Sequence, residues 1–275
     1  MTTDLNSLIA HPPSGRRTAV ILDAHDWAQC VVLQGKDVPW RDTMAYANFV
    51  SQAQGLLDPD ATLVALDRWY DHRVASDEGL RASMAAKTRT GYALRTLLAD
   101  PESNRQVLEL VTIFTQTQRR PVILHIPSPR RWLERTHAFS GAATTDALDS
   151  DDAENASMYV ADWLRGFASL PIAAVMLDDR DRDRDRDRGS GAGGSPVALS
   201  VYTPLANATS NYGWSLAMRS DDAVQVWGSD VAGALIPEGF WSASGAATPA
   251  GDFLLGAVPE AAVPEIVRSR IGEMV

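Results

Sequence analysis

Five residues stand where a proton donor or acceptor would be useful: Asp23, His25, Asp67, His125 and Asp178. Each sits at or just past the end of a short apolar run. Residues 19–22 precede Asp23 and His25, residues 62–66 precede Asp67, residues 121–124 precede His125, and residues 172–177 precede Asp178. A buried strand reads this way where it reaches a polar rim. In parallel α/β folds the C-terminal ends of the strands are where ligands bind. A histidine beside a carboxylate can give or take a proton near neutral pH. Carboxylates crowded at one mouth raise one another's pKa. The five are therefore the catalytic candidates for acid/base chemistry, expected to face one cavity.

Binding candidates surround them. Arg68, Tyr70 and His72 follow the second run, together with Asp71 and Arg73, and Arg130 and Arg131 follow the third. A guanidinium grips a carboxylate through two parallel hydrogen bonds, so these arginines point to a small anionic substrate. Tyr202 and Trp227 are candidates for an aromatic wall. Each residue also has a bland alternative: a helix cap, a solvated helix face, a satisfied structural histidine, or core packing. His11 and His137 are expected on the surface. His25, Asp67, His125 and Asp178 could together hold a divalent cation. The His-x-His pair of many barrel hydrolases is absent, so the expectation is no metal and no cofactor. No Gly-rich phosphate loop is present.

These side chains need strands to hold them. Further runs at 197–202, 224–227, 232–236 and 253–258 bring the strand count to eight. A short extra strand or an irregular stretch is open at 30–33. Helices are expected to open near Asp37, to run from Ser76 to about Leu98, and to start at Pro101, Pro129, Met158, Asn211 and Pro264. Residues 1–17 are expected as a loose lead-in and 140–156 as a loop. Eight strands with helices between them predict a single (β/α)₈ TIM barrel over 18–275. The alternating Asp/Arg and Gly/Ser stretch at 179–195 is expected to be a disordered charged loop within it.

Composition limits the rest. The chain has 275 residues, 45% of them hydrophobic, enough for a full core. Lys and Arg number 25 against 35 Asp and Glu, a net charge of −10 that repels phosphate backbones. Nucleic acid is therefore not an expected partner. No apolar run approaches the roughly 20 residues of a membrane span, and no secretory leader pattern is visible. A single cysteine, Cys30, allows no internal disulfide, which suits a reducing cytoplasm. A homo-oligomer is left open.

Three stretches carry a resemblance. Residues 121–129, PVILHIPSP, are similar to the strand-plus-proline segment of cobalamin-independent methionine synthase barrels. Residues 158–178 resemble their helix followed by a strand ending in an acidic residue. Residues 253–274 resemble their closing strand and helix. The broader group contains uroporphyrinogen decarboxylase. Methionine synthases bind zinc through a His-x-Cys pair, a Glu and a second Cys. Here the residue two past His125 is Pro127, and no second cysteine exists. The resemblance thus implies a barrel with altered chemistry. The reading is metal-independent acid/base action on a small carboxylated metabolite, of lyase or decarboxylase type. The alternatives are a methyl or alkyl transferase, a metal-dependent hydrolase, and a non-catalytic ligand- or partner-binding barrel.

Overall fold

The computed structural model describes residues 4–140, 148–180, 197–242 and 247–274. The chain runs α1 (Leu5–Ala10), β1 (Ala19–Asp23), α2 (His25–Val31), α3 (Thr43–Leu57), β2 (Thr62–Ala65), α4 (Leu66–Ser76), α5 (Glu78–Met84), α6 (Tyr92–Leu98) and α7 (Pro101–Thr117). It continues through β3 (Val122–Pro127), α8 (Pro129–His137), α9 (Ser150–Leu164), β4 (Ile172–Asp178), α10 (Thr203–Asn211), β5 (Ser215–Arg219), β6 (Ala223–Val226), β7 (Ala232–Ile236), β8 (Phe253–Ala257) and α11 (Pro264–Gly272). This is a mixed α/β protein built on one eight-stranded, nearly closed, barrel-like sheet. No helix among the described residues is long and apolar enough to cross a membrane.

The strand order is β1-β8-β7-β6-β5-β4-β3-β2. Seven strands run the same way, and β6 runs antiparallel to both its neighbours. The sheet's two ends, β1 and β2, meet across a seam. Asp60, just before β2 and fully buried, bridges it. Its N–H donates to the Val20 carbonyl at 2.8 Å, and its carboxylate accepts the Val20 N–H at 2.9 Å. One residue, through its backbone N–H and its carboxylate, thus supplies what a missing strand neighbour would.

Alternation along the strands sorts the side chains into two cores. Outward residues such as Val20, Val64, Leu124, Val175 and Leu216 pack beneath the helices. Inward residues Ala19, Ile21, Ile123, Ala174, Met176, Ala217, Phe253 and Leu255 fill the lumen. Small alanines fit the narrow interior, and Gly233, paired in register with Phe253, leaves the space its ring occupies. Leu5 and Leu8 of α1 belong to the same inner cluster and are fully buried. They close the lumen at the end where the strands begin.

Several elements differ from the sequence reading. Residues 1–17 are not all loose, because α1 carries two apolar plugs. The stretch 30–33 is no strand; α2 covers its first half. The helix expected near Asp37 starts at Thr43, where the Asp42 carboxylate accepts the Ala45 N–H. The long helix from Ser76 is broken into α5 and α6, with Gly91 at φ +77° starting the second. The small acidic loop ends early. Asp149 and Asp152 form a capping box, and acidic residues favour a helix's first turn, so α9 begins at Ser150. Residues 197–202 form no strand; Leu199–Tyr202 is a 3₁₀ turn feeding α10. The helix read over 211–219 is instead β5. Gly213 at φ +73° ends α10, and Ser-Leu-Ala-Met-Arg then alternates outward and inward.

Candidate acid–base site at the barrel mouth

The inward positions that fill the lumen continue to its open end. Two residues past Ile21 comes Asp23, two past Ile123 comes His125, two past Met176 comes Asp178, and two past Ala217 comes Arg219. The period of a strand therefore places an apolar plug and a polar mouth on one face of the same sheet. Register reinforces this arrangement. Ala65 pairs with His125, Pro127 with Asp178, and Asp178 with Arg219. β2 ends directly in α4, so Asp67 falls in the first helical turn, where the N-terminal dipole favours a carboxylate.

Asp67, His125 and Asp178 converge and are respectively 2%, 1% and 4% exposed. His125 Nδ1 lies 3.2 Å from Asp67 Oδ1, and Nε2 lies 3.5 Å from Asp178 Oδ2. Burial works against charge on the imidazole. The two flanking carboxylates outweigh it and hold its pKa above the usual histidine value. His125 thus has a carboxylate at each ring nitrogen, a setting that favours its protonated form. Arg180 grips the other side of Asp178, with Nε donating to Oδ1 at 2.8 Å and Nη2 donating to Oδ2 at 2.7 Å.

Asp23 lies on the same rim in a second set. Arg68 Nη1 donates to both its oxygens at 3.0 and 3.3 Å, and Nη2 donates to Asp26 at 2.9 Å. Burial lowers the Arg68 pKa, but Asp23, Asp67 and Asp26 together raise it well above its ordinary value. The guanidinium is a fixed positive charge between the two sets.

His25 does not join them. Helix α2 starts at this residue and turns its ring toward α3. The ring stacks on Trp40 with centroids 5.1 Å apart and meets Phe49 edge-on at 5.5 Å. His72 also stacks on Trp40, at 5.7 Å, and burial followed by repulsion from Arg41 lowers its pKa.

The expected binding residues divide in the same way. Arg68 faces the mouth. Tyr70 is buried in the helical core, edge-on to Trp132 and Trp163, because it falls on the inner side of α4. Arg130 donates to Glu134 at 2.8 Å. Arg131 donates to Glu134 at 3.0 Å and to the Asp179 carbonyl at 2.8 Å, so both arginines brace α8. Tyr202 is fully buried beside Ser128 and Asp179, and burial raises its hydroxyl pKa. Trp227 follows β6, and its N–H donates to the carbonyl of Leu216 at the start of β5. The reversal of β6 thus carries Trp227 to the opposite end of the barrel from the mouth. His137, expected on the surface, is buried against Ser140.

The charged stretch also begins later than its composition suggests. Asp179 is buried and accepts a hydrogen bond from the Ser128 hydroxyl; burial raises its pKa, with Ser128 and the nearby arginines pulling the other way. Arg180 is placed by Asp178. Residues 181–195 lie outside the described residues, as does all of the expected disordered loop beyond Arg180.

Sequence reasoning missed Arg219, Arg180 and Asp60. Arg219 ends an alternating segment whose composition also fits a helix. Arg180 belongs by composition to the charged run, although Asp178 two residues earlier is its partner. Asp60 lies in an Asp-Pro-Asp turn whose role depends on which strands meet.

Among the described residues, no group of three or more His, Cys, Asp or Glu side chains is arranged to hold a metal ion. Both ring nitrogens of His125 face carboxylates. No family model matches the chain, and no curated protein or solved structure matches it.

Proposed function

We propose that the protein is a TIM-barrel enzyme that acts on a small carboxylated metabolite by metal-independent acid/base chemistry of lyase or decarboxylase type. Its ancestry on this reading lies with the methionine synthase and uroporphyrinogen decarboxylase group, and it works in the cytoplasm without nucleic acid. The observation that carries the reading is the Asp67–His125–Asp178 triad at the C-terminal ends of parallel strands. A buried imidazolium is a proton donor of adjustable strength. Asp67 fixes the ring through Nδ1, leaving Nε2 as the position from which a proton moves. In a decarboxylation the bond between the carboxylate and its α-carbon breaks, the carboxylate leaves as CO2, the electron pair stays on the α-carbon, and that carbon takes the Nε2 proton. Asp178, held by Arg180, stabilises the charge before transfer. Arg68 offsets the negative charge of Asp23 and Asp26 at the rim, which lessens their repulsion of an anionic ligand.

The test is turnover across a panel of small mono- and dicarboxylates. Replacing His125 or Asp67 with Ala should cut turnover by roughly 10²-fold or more, the usual contribution of one acid/base group. Normal turnover in both variants would sink the assignment. A second reading, a non-catalytic barrel that binds a ligand or partner, is favoured by the pairing of His125 with two carboxylates at 1% exposure, as in a structural ion cluster. It requires that rim variants change binding while no substrate turns over in the parent protein.

A further inference from the structure

The seam between β1 and β2 leaves a gap in the barrel wall, and the gap is a cavity. It has a volume of 40 Å³, walled by Leu22, Phe49, Ala53 and Leu57 under α3. Asp23 and Ala65, which face the mouth from either side of the seam, also line it. It therefore runs from the helical layer toward the acid/base site. One water needs roughly 10–15 Å³ of such space, so the cavity has room for about three or four non-hydrogen atoms.

His25 lines the same cavity, with its side chain only 7% exposed. Both ring nitrogens are buried. Nδ1 lies 3.5 Å from Asp26 Oδ1, a long contact that is still the largest cause holding the Asp26 carboxyl below the usual carboxylate range. Nε2 has no hydrogen-bond partner. A buried ring nitrogen left without one is costly unless something else supplies it. The rest of the wall is mostly apolar. The only carboxylate on it, Asp23, is already neutralised by Arg68.

We infer that this gap is the subsite for a short neutral arm of the mouth site's ligand, apolar along its length and ending in a hydroxyl or carbonyl that hydrogen-bonds His25. A further carboxylate is disfavoured there by the apolar wall, which offers it no counter-charge beyond the Arg68 already shared by Asp23 and Asp26, and an arm longer than about four atoms does not fit. This inference rests on the reading of the mouth as a ligand site, but it does not require that site to be catalytic.

The probes are methanol, ethanol, 1-propanol and 1-hexanol, followed through the His25 ring nitrogens by NMR. A saturable shift is expected, about fourfold tighter per added methylene up to 1-propanol, the usual gain for burying one. It should be lost with 1-hexanol. Ala53→Phe fills the cavity and should abolish the response; Ala53→Val is the milder variant should the first fail to fold, and should weaken it several-fold. His125→Ala should leave it unchanged, which separates this inference from the acid/base assignment. A response that ignores chain length, persists in both Ala53 variants, or is absent because only water occupies the gap would overturn it.

Discussion

At the end of the lumen where the strands begin, Leu5 and Leu8 of α1 pack against Ala19, Ile21 and Phe253. At the other end, one strand repeat further on, stand Asp23, His125, Asp178 and Arg219. Backbone and burial are the same at both ends; only the chemistry differs. The apolar end gains stability from every buried methylene. The charged end gives much of its Coulomb attraction back as desolvation. A sheet of this kind is held together from one end and left free to place costly groups at the other.

Each end can be perturbed separately. The largest effect is expected from His125→Leu, which leaves two buried carboxylates facing each other. Loss of one partner from a buried ion set costs about 3–5 kcal/mol, readable by urea denaturation. Replacing Asp67, His125, Asp178 and the Arg180 that grips Asp178 together with Leu should cost much less than the single change, since apolar substitutes for a whole buried ion set are often neutral. If this combined variant is the less stable, the charged end is structural and the contrast between the ends fails.

At the plugged end, Leu8→Ala should cost roughly 2–5 kcal/mol by the same measurement, with the mouth unaffected. A change under 1 kcal/mol would mean that α1 does not seal the lumen.

The pH dependence sharpens the contrast further. His125 has a raised folded pKa, so its stabilising contribution is complete below the unfolded value of about 6.5 and disappears as pH rises through the folded value. Unfolding free energy should therefore fall on the alkaline side, and His125→Gln should flatten that limb. A limb of equal slope in the variant would place the titration elsewhere. The smallest effect is expected away from both ends. Asp149→Ala removes the capping box of α9 and should cost about 1 kcal/mol, with the alkaline limb left as it is.

Much of this organisation was legible in the sequence, and the reasons are local. β1, β3 and β4 announce themselves because they are buried on both faces and end in Asp23, His125 and Asp178. The convergence of Asp67, His125 and Asp178 followed from position alone. What the sequence hid were properties of pairing. The reversal of β6 leaves no mark in Ala-Val-Gln-Val, so Trp227 was assigned to the wrong end. β5 is short enough that its alternation competes with a helical reading. His25 follows Asp23 by two residues and would share its face on a continued strand, but α2 begins there and rotates the ring away. Residues just past a strand are the hardest to place, because one turn of helix redirects them.

The pairing of β1 with β8 separates near contacts from distant ones. β5, β6 and β7 are neighbours in the chain as well as in the sheet, while β1 pairs with the strand furthest from it in sequence. Contacts between distant segments carry a loop-closure cost before they return any energy, so ring closure is expected late in folding. On that expectation Asp23 and His125 lose water only in the final step, when the rest of the core is in place to drive it.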